Sequence, residues 1–160
     1  MTKHLTHETT YDAPLGVVAA MIADPDYRER VSRAQGATRT TVDIDGSGAG
    51  MSVLVDQAQP AEGLPGFAKK FVGDEINIVA REEWTAVDRG DLHVTIPGKP
   101  GDMTGTLTLS ESGGVTTYTA EVAIKVHIPL VGGKIESLIA DMLRKALLAE
   151  GEVGRDYVSR

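Results

Sequence analysis

The chemistry open to this sequence begins with one carboxylate, Glu82. In an alternating segment it shares the parity of Ile76, Ile78, Ala80 and Trp84, so in a strand it points to the face those apolar side chains cover. A carboxylate buried without a partner is costly, which leaves two readings of Glu82. Either it meets a partner or a ligand group, as the polar hook or raised-pKa acid of an apolar pocket, or it escapes to solvent at a frayed or bulged strand end. Trp84 and Tyr118 also fall on inward positions; either can fill a core or wall a cavity while its N–H or O–H fixes a polar group. Glu82, Tyr118 and Arg39 are the candidates for general acid–base work, which needs a tuned group within reach of substrate. No catalytic motif accompanies them, so no catalytic residue is assigned and binding is expected ahead of catalysis.

Other chemistries find less support. The chain has no cysteine, which removes disulfides, iron–sulfur clusters, thiolate zinc sites and thiol nucleophiles together. Its four histidines, His4, His7, His93 and His127, show no metal-ligand spacing and fall on surface positions, so no metal is expected. The run Gly46-Ser-Gly-Ala-Gly50 is flanked by strands on both sides, whereas a dinucleotide fingerprint must open a helix; it reads as a hairpin turn. Gly132-Gly-Lys134 lacks the earlier Gly and the following Ser or Thr of a phosphate-binding loop, and reads as a strand-to-helix turn. No cofactor is expected.

The two phenylalanines, Phe67 and Phe71, lie one helical turn apart beside Lys69 and Lys70 in the connection between the third and fourth strands. Scarce aromatics gathered there suggest a lid, or a patch for transient contact with a membrane or partner, against the plainer reading that both tuck under the sheet edge. Met51, Met103 and Met142 could give a cavity adaptable walls.

The elements that must position these groups follow from pattern. Thr2 to Tyr11 reads as a strand ending at the turn Asp12-Ala-Pro14; Pro14 opens a helix, and Asp24 caps a second one with Pro25 in its first turn, running to Ala34. Alternation then marks strands over 37–44, 51–57, 76–84, 92–96, 103–109 and 118–128. Past Gly133, Ile135, Leu138, Ile139, Met142, Leu143, Ala146, Leu147 and Val153 recur at spacings of three and four, opposite Glu136, Asp141, Arg144, Lys145, Glu152 and Arg155. Asp141 and Lys145 stand in the favourable acid-first order. Antiparallel strands with one apolar face need a cover, and this long helix is the one element able to supply it. The fold class expected is α+β: a curved antiparallel sheet of about seven strands wrapped around a long C-terminal helix, the helix-grip architecture.

With 160 residues the chain fits one domain, 1–160, and a core at this length needs no metal or disulfide staple. A net charge of -7 speaks against a nucleic-acid surface. The polar start and the want of a long apolar run predict a cytoplasmic protein without a transmembrane segment.

Tyr11-Asp-Ala-Pro14, Val17-Val18 and Met21-Ile22-Ala-Asp24-Pro25 resemble the first strand and helix entry of the START-like (SRPBCC; polyketide cyclase, Bet v 1-like) superfamily. More narrowly, Phe71-Val-Gly-Asp74, the Glu83-Trp84 strand, Gly98-Lys-Pro-Gly101 and Ile128-Pro-Leu-Val-Gly-Gly-Lys-Ile-Glu136 resemble an actinobacterial family of START-like proteins of unknown function, DUF2505. The resemblance implies a hydrophobic cavity between sheet and long helix, entered beside the loops after the third and fifth strands, and a small lipid-like or polyketide-like ligand. The implied ligand-binding set is Val53, Val55, Phe67, Phe71, Ile78, Glu82, Trp84, Leu107, Tyr118, Val122, Ile139, Met142 and Leu143. Two other uses fit the same scaffold: a cyclase, aromatase or hydratase acting in that cavity, and a ligand-free interaction module.

Overall fold

Punctuation by proline and aspartate sets the first third of the chain. The computed structural model describes residues 2–160, beginning with strand β1 (Thr2–Tyr11). Pro14 stands at the N-terminal boundary of helix α1 (Leu15–Ile22), where its missing N–H leaves no helical bond unmade. Asp24 then accepts the backbone N–H of Asp26 at 2.9 Å and caps helix α2 (Pro25–Ala34), whose first residue is the second proline.

Six strands follow: β2 (Arg39–Asp45), β3 (Ser52–Pro60), β4 (Glu75–Ala86), β5 (Arg89–Thr95), β6 (Asp102–Ser112) and β7 (Val115–Lys125). The short helix α3 (Gly66–Val72) interrupts the run between β3 and β4, and α4 (Gly132–Val158) ends the chain. All pairs are antiparallel, in the order β1-β7-β6-β5-β4-β3-β2, so β2 to β7 form a meander and β1 joins beside β7. This is the helix-grip fold, with α4 held against one face of the sheet.

Strand β7 stops three residues short of the predicted Ile128. Both of its neighbours run out opposite Lys125, at Thr2 on one side and Asp102 on the other. The next N–H, that of Val126, is taken instead by the Glu136 carboxylate at 2.8 Å. Glu136 is therefore 2 % exposed, although periodicity places it on the wet face of the helix. Likewise Asp141 pairs with Arg144 at 3.2 Å, one position earlier than the predicted Lys145.

Helix α4 grips the sheet unevenly. Its last two turns lie hard against β1, where a Cβ on Gly151 would come 2.9 Å from the Thr9 methyl and one on Gly154 would come 2.5 Å from the Tyr11 ring. Around that contact Tyr11, Val18, Met21, Tyr27, Trp84 and Leu107 form the larger packed cluster. A smaller one gathers where Ala140 meets Val94, Met103, Val122 and Ile124. Yet the apolar stripe of α4, from Ile135 to Leu147, is only half-buried, because much of it faces a cavity.

Candidate functional site

The cavity, of about 440 Å³, lies between α4 and the concave face of the sheet and borders both clusters. Alternation supplies its floor: Val55 from β3, Ile78 and Glu82 from β4, Leu107 from β6, and Tyr118 and Val122 from β7. The α4 stripe supplies the roof with Ile139, Met142 and Leu143, and α3 adds Phe71. Residues after β3 (Leu64, Ala68) and after β5 (Lys99, Pro100) reach the wall, which places both loops at its rim.

Three residues of the predicted set sit elsewhere. Val53 and Trp84 share the inward parity but belong to the packed cluster, because alternation fixes the face and leaves the position along it open. Phe67 is half-buried on α3 and off the cavity wall, so of the two phenylalanines only Phe71 borders the cavity. Arg39, a predicted acid–base candidate, is exposed on the far side of the sheet, held by Asp56 at 3.3 Å and Asn77 at 3.0 Å. Met51 is core, Met142 is wall, and Met103 is both, packed in the smaller cluster and bordering the cavity.

One end of the cavity is polar. Glu82 does not fray out: it stays in register with Val53 and Leu92, ahead of the bulge that breaks the ladder between Trp84 and Ala86, and is 6 % exposed. Its partner is Arg28 of α2, which donates from Nη1 to Oε2 at 2.8 Å and from Nη2 to Oε1 at 2.7 Å. Arg28 Nε donates to the Ile22 carbonyl at 2.9 Å, and Trp84 Nε1 adds a further bond to Glu82 Oε1 at 2.9 Å. Burial alone would raise the Glu82 carboxyl, but the Arg28 charge and the hydrogen bonds from Arg28 and Trp84 outweigh it and hold it below the usual range. Burial would lower Arg28, and the charge of Glu82 reverses that as well. The pair is a locked, bidentate bridge.

Beside it stands Glu150, one turn beyond Ala146 on the inner stripe of α4 and half-buried on the cavity wall. Burial, with Glu82 repulsion behind it, pushes its carboxyl up to about 7 against the pull of Arg28 and the Tyr118 hydroxyl. Among the described residues the Glu150 carboxylate makes no salt bridge, and Tyr118 shares the cavity wall with it. Tyr118 is itself pushed well above the usual phenol range by burial and by the charges of Glu150 and Glu82, so at neutral pH it remains a donor.

A polar seam closes the gap between α2 and β3. Gln59 Nε2 donates to Gln57 Oε1 at 2.9 Å, Gln57 Nε2 to Gln35 Oε1 at 3.3 Å, and Gln35 Nε2 to the Ala146 carbonyl of α4 at 3.0 Å. All three glutamines border the cavity.

Sequence reasoning missed Arg28, Glu150 and this seam. Arg28 lies one turn before Val31 on the inner face of α2, and Glu150 lies four beyond Ala146 and seven beyond Leu143. The signal was there: a charged residue in phase with an apolar stripe.

The chain matches the model of "Protein of unknown function (DUF2505)" over residues 6–158. An uncharacterized protein of Mycobacterium tuberculosis, Rv0481c, is 32% identical over 107 residues, 62% of this chain and 61% of the relative, so the match spans less than two thirds of that protein. Among solved structures, norcoclaurine synthase from Thalictrum flavum is similar at 13% identity and a TM-score of 0.67, covering 100% of this chain and 88% of that one. The Zhui aromatase/cyclase of Streptomyces sp. R1128 is similar at 14% identity and a TM-score of 0.57, covering 99% and 92%. At these identities the solved structures share the fold alone. No helix among the described residues is long and apolar enough to cross a membrane. The strand and loop motifs, the sheet order and the match along nearly the whole chain agree: this chain belongs to the DUF2505 family and carries the START-like fold.

Proposed function

We propose that this protein binds or carries a small hydrophobic molecule in the cavity under α4. The observation that carries this reading is the half-buried apolar stripe of α4, which stands over about 440 Å³ of space walled largely by Val, Ile, Leu and Met. Ligand pockets run to roughly 300–1,000 Å³ and combine apolar walls with a few placed polar groups, the pattern found here. The volume suits a medium-chain or one- to two-ring molecule; Phe71 and the loops after β3 and β5 form the rim it would pass.

Uptake of a neutral apolar dye such as Nile red, together with native mass spectrometry of gently purified protein, tests this. Saturable one-to-one binding that Ile78→Trp abolishes by filling the wall is the expected result. A protein that takes up no apolar probe, or a crystal structure whose interior is packed solid, would overturn it.

A second reading, an enzyme of the cyclase, aromatase or hydratase type, draws on the placing of Glu150 and Tyr118 together on the cavity wall. Glu150, raised to about 7 beside a protonated Tyr118, has the tuning that general acid–base chemistry needs. Glu82, locked by Arg28, is a positioning group in that case.

A further inference from the structure

Resting on the cavity-binding reading, we infer that Glu150 and Tyr118 form an anchor for a hydrogen-bond-donating head group, an amine, alcohol or phenol, and that the polar end of the cavity discriminates against free carboxylates. The argument is one of charge and of donors already committed.

Of the two arginines that act on this end, Arg28 and Arg155, Arg28 alone borders the cavity among the described residues, and it is spoken for. Its Nε serves the Ile22 carbonyl and both Nη atoms fork onto Glu82. An incoming carboxylate could take that fork only by leaving Glu82 buried without its counter-charge. What remains open is Glu150, which lines the cavity together with Tyr118 and whose carboxylate makes no salt bridge among the described residues. The groups facing it from the packed elements are Arg28 and Tyr27 of α2, Glu82 of β4, Tyr118 of β7 and Tyr11 of β1. Burial raises all three tyrosines, so none competes as an anion near neutral pH. On the cavity wall Arg28 and Glu82 cancel, which leaves Glu150 as the surplus charge there. The two lysines on the cavity wall, Lys99 and Lys145, are solvent-exposed and hydrated, so they hold an acid only weakly.

The test uses the full chain loaded with Nile red, displaced by decylamine, decanol and decanoate, ligands that differ only in the head. At about pH 8.5, above the value of about 7 for Glu150, decylamine and decanol should displace the dye at concentrations roughly tenfold below decanoate, the discrimination a charge-assisted hydrogen bond supplies. Near pH 5.5 the amine's advantage should shrink, because Glu150 has taken up a proton. Glu150→Gln should shrink it at pH 8.5 and change it little near pH 5.5, and Tyr118→Phe should weaken decanol and decylamine together. The readout is a ratio of displacement constants, so a variant that holds less dye still reports, and the wild-type pH series decides the matter if a variant fails to fold. Dye uptake with decanoate equal to or better than decanol overturns this inference alone. No dye uptake at all overturns the cavity-binding reading and this inference with it.

Discussion

The two ends of α4 do opposite work. Past Gly151 the helix is pressed onto β1, with no room for a side chain between backbone and the Thr9 and Tyr11 side chains. Before it, the stripe from Ile135 to Leu147 faces space and remains half-exposed. One helix is thus both the clamp that fixes the sheet and the roof of a chamber. The pair of carboxylates at the border repeats the contrast. Glu82 is locked by three side-chain donor bonds, while Glu150, on the same cavity wall, makes no salt bridge among the described residues. Rigidity lies on the clamp side and chemical freedom on the roof side.

The comparison breaks first at Arg28. Arg28→Met should destabilise the protein by about 3–5 kcal/mol in chemical denaturation, because it leaves Glu82 buried and uncompensated. A loss under about 1 kcal/mol would mean that water reaches the bridge and that the border is soft.

Next come the two ends of α4 themselves. Gly154→Val drives a side chain into the buried Tyr11 ring and should cost roughly 2–3 kcal/mol. Leu143→Ala on the cavity side should cost about 1 kcal/mol, below the usual range for a packed leucine, since it already faces space. Equal losses would erase the distinction between clamp and roof.

The smallest effect separates the carboxylates by pH. The Glu82 carboxyl is lowered on folding, so its contribution is present above its unfolded value and fades as pH falls. The Glu150 carboxyl is raised to about 7 from its ordinary value of 4.5, so its contribution is whole below that lower value and is lost as pH rises through about 7. Across this neutral window the wild type should lose about 1 kcal/mol that Glu150→Gln does not, once partial solvent contact is discounted. Thermal melts as a function of pH decide it: parallel curves for the two proteins would show that Glu150 titrates as an ordinary surface acid.

Much of the frame was legible in the residues. The alternation from Tyr118 to Val126 and the α4 stripe are strong periodic signals, and Asp24-Pro25 marks a helix start with a mechanism. The cavity was less so, since periodicity says which face an apolar residue takes and nothing of how far the opposite layer stands. That is why Val53 and Val55, or Trp84 and Glu82, share parity and yet only the second of each pair reaches the cavity wall. The Arg28–Glu82 bridge joins residues 54 apart, a tertiary fact that no local pattern encodes. What the sequence did hold was a demand, a carboxylate in phase with a core face, and Arg28 answers it.

Sheet order also has a temporal side. β1 has a single sheet neighbour, β7, and the register pairs Thr2 with Lys125. Strands β2 to β7 pair with their neighbours in the chain, across short connections except where α3 intervenes, whereas β1 must wait across a far longer loop whose closure entropy is met only once β7 exists. Helix α4 then docks on β1 through Gly151 and Gly154. This topology makes the chamber a late product of folding: a chain stalled at the meander has a floor for the ligand but neither clamp nor roof, so the ability to hold cargo should arrive together with the finished fold.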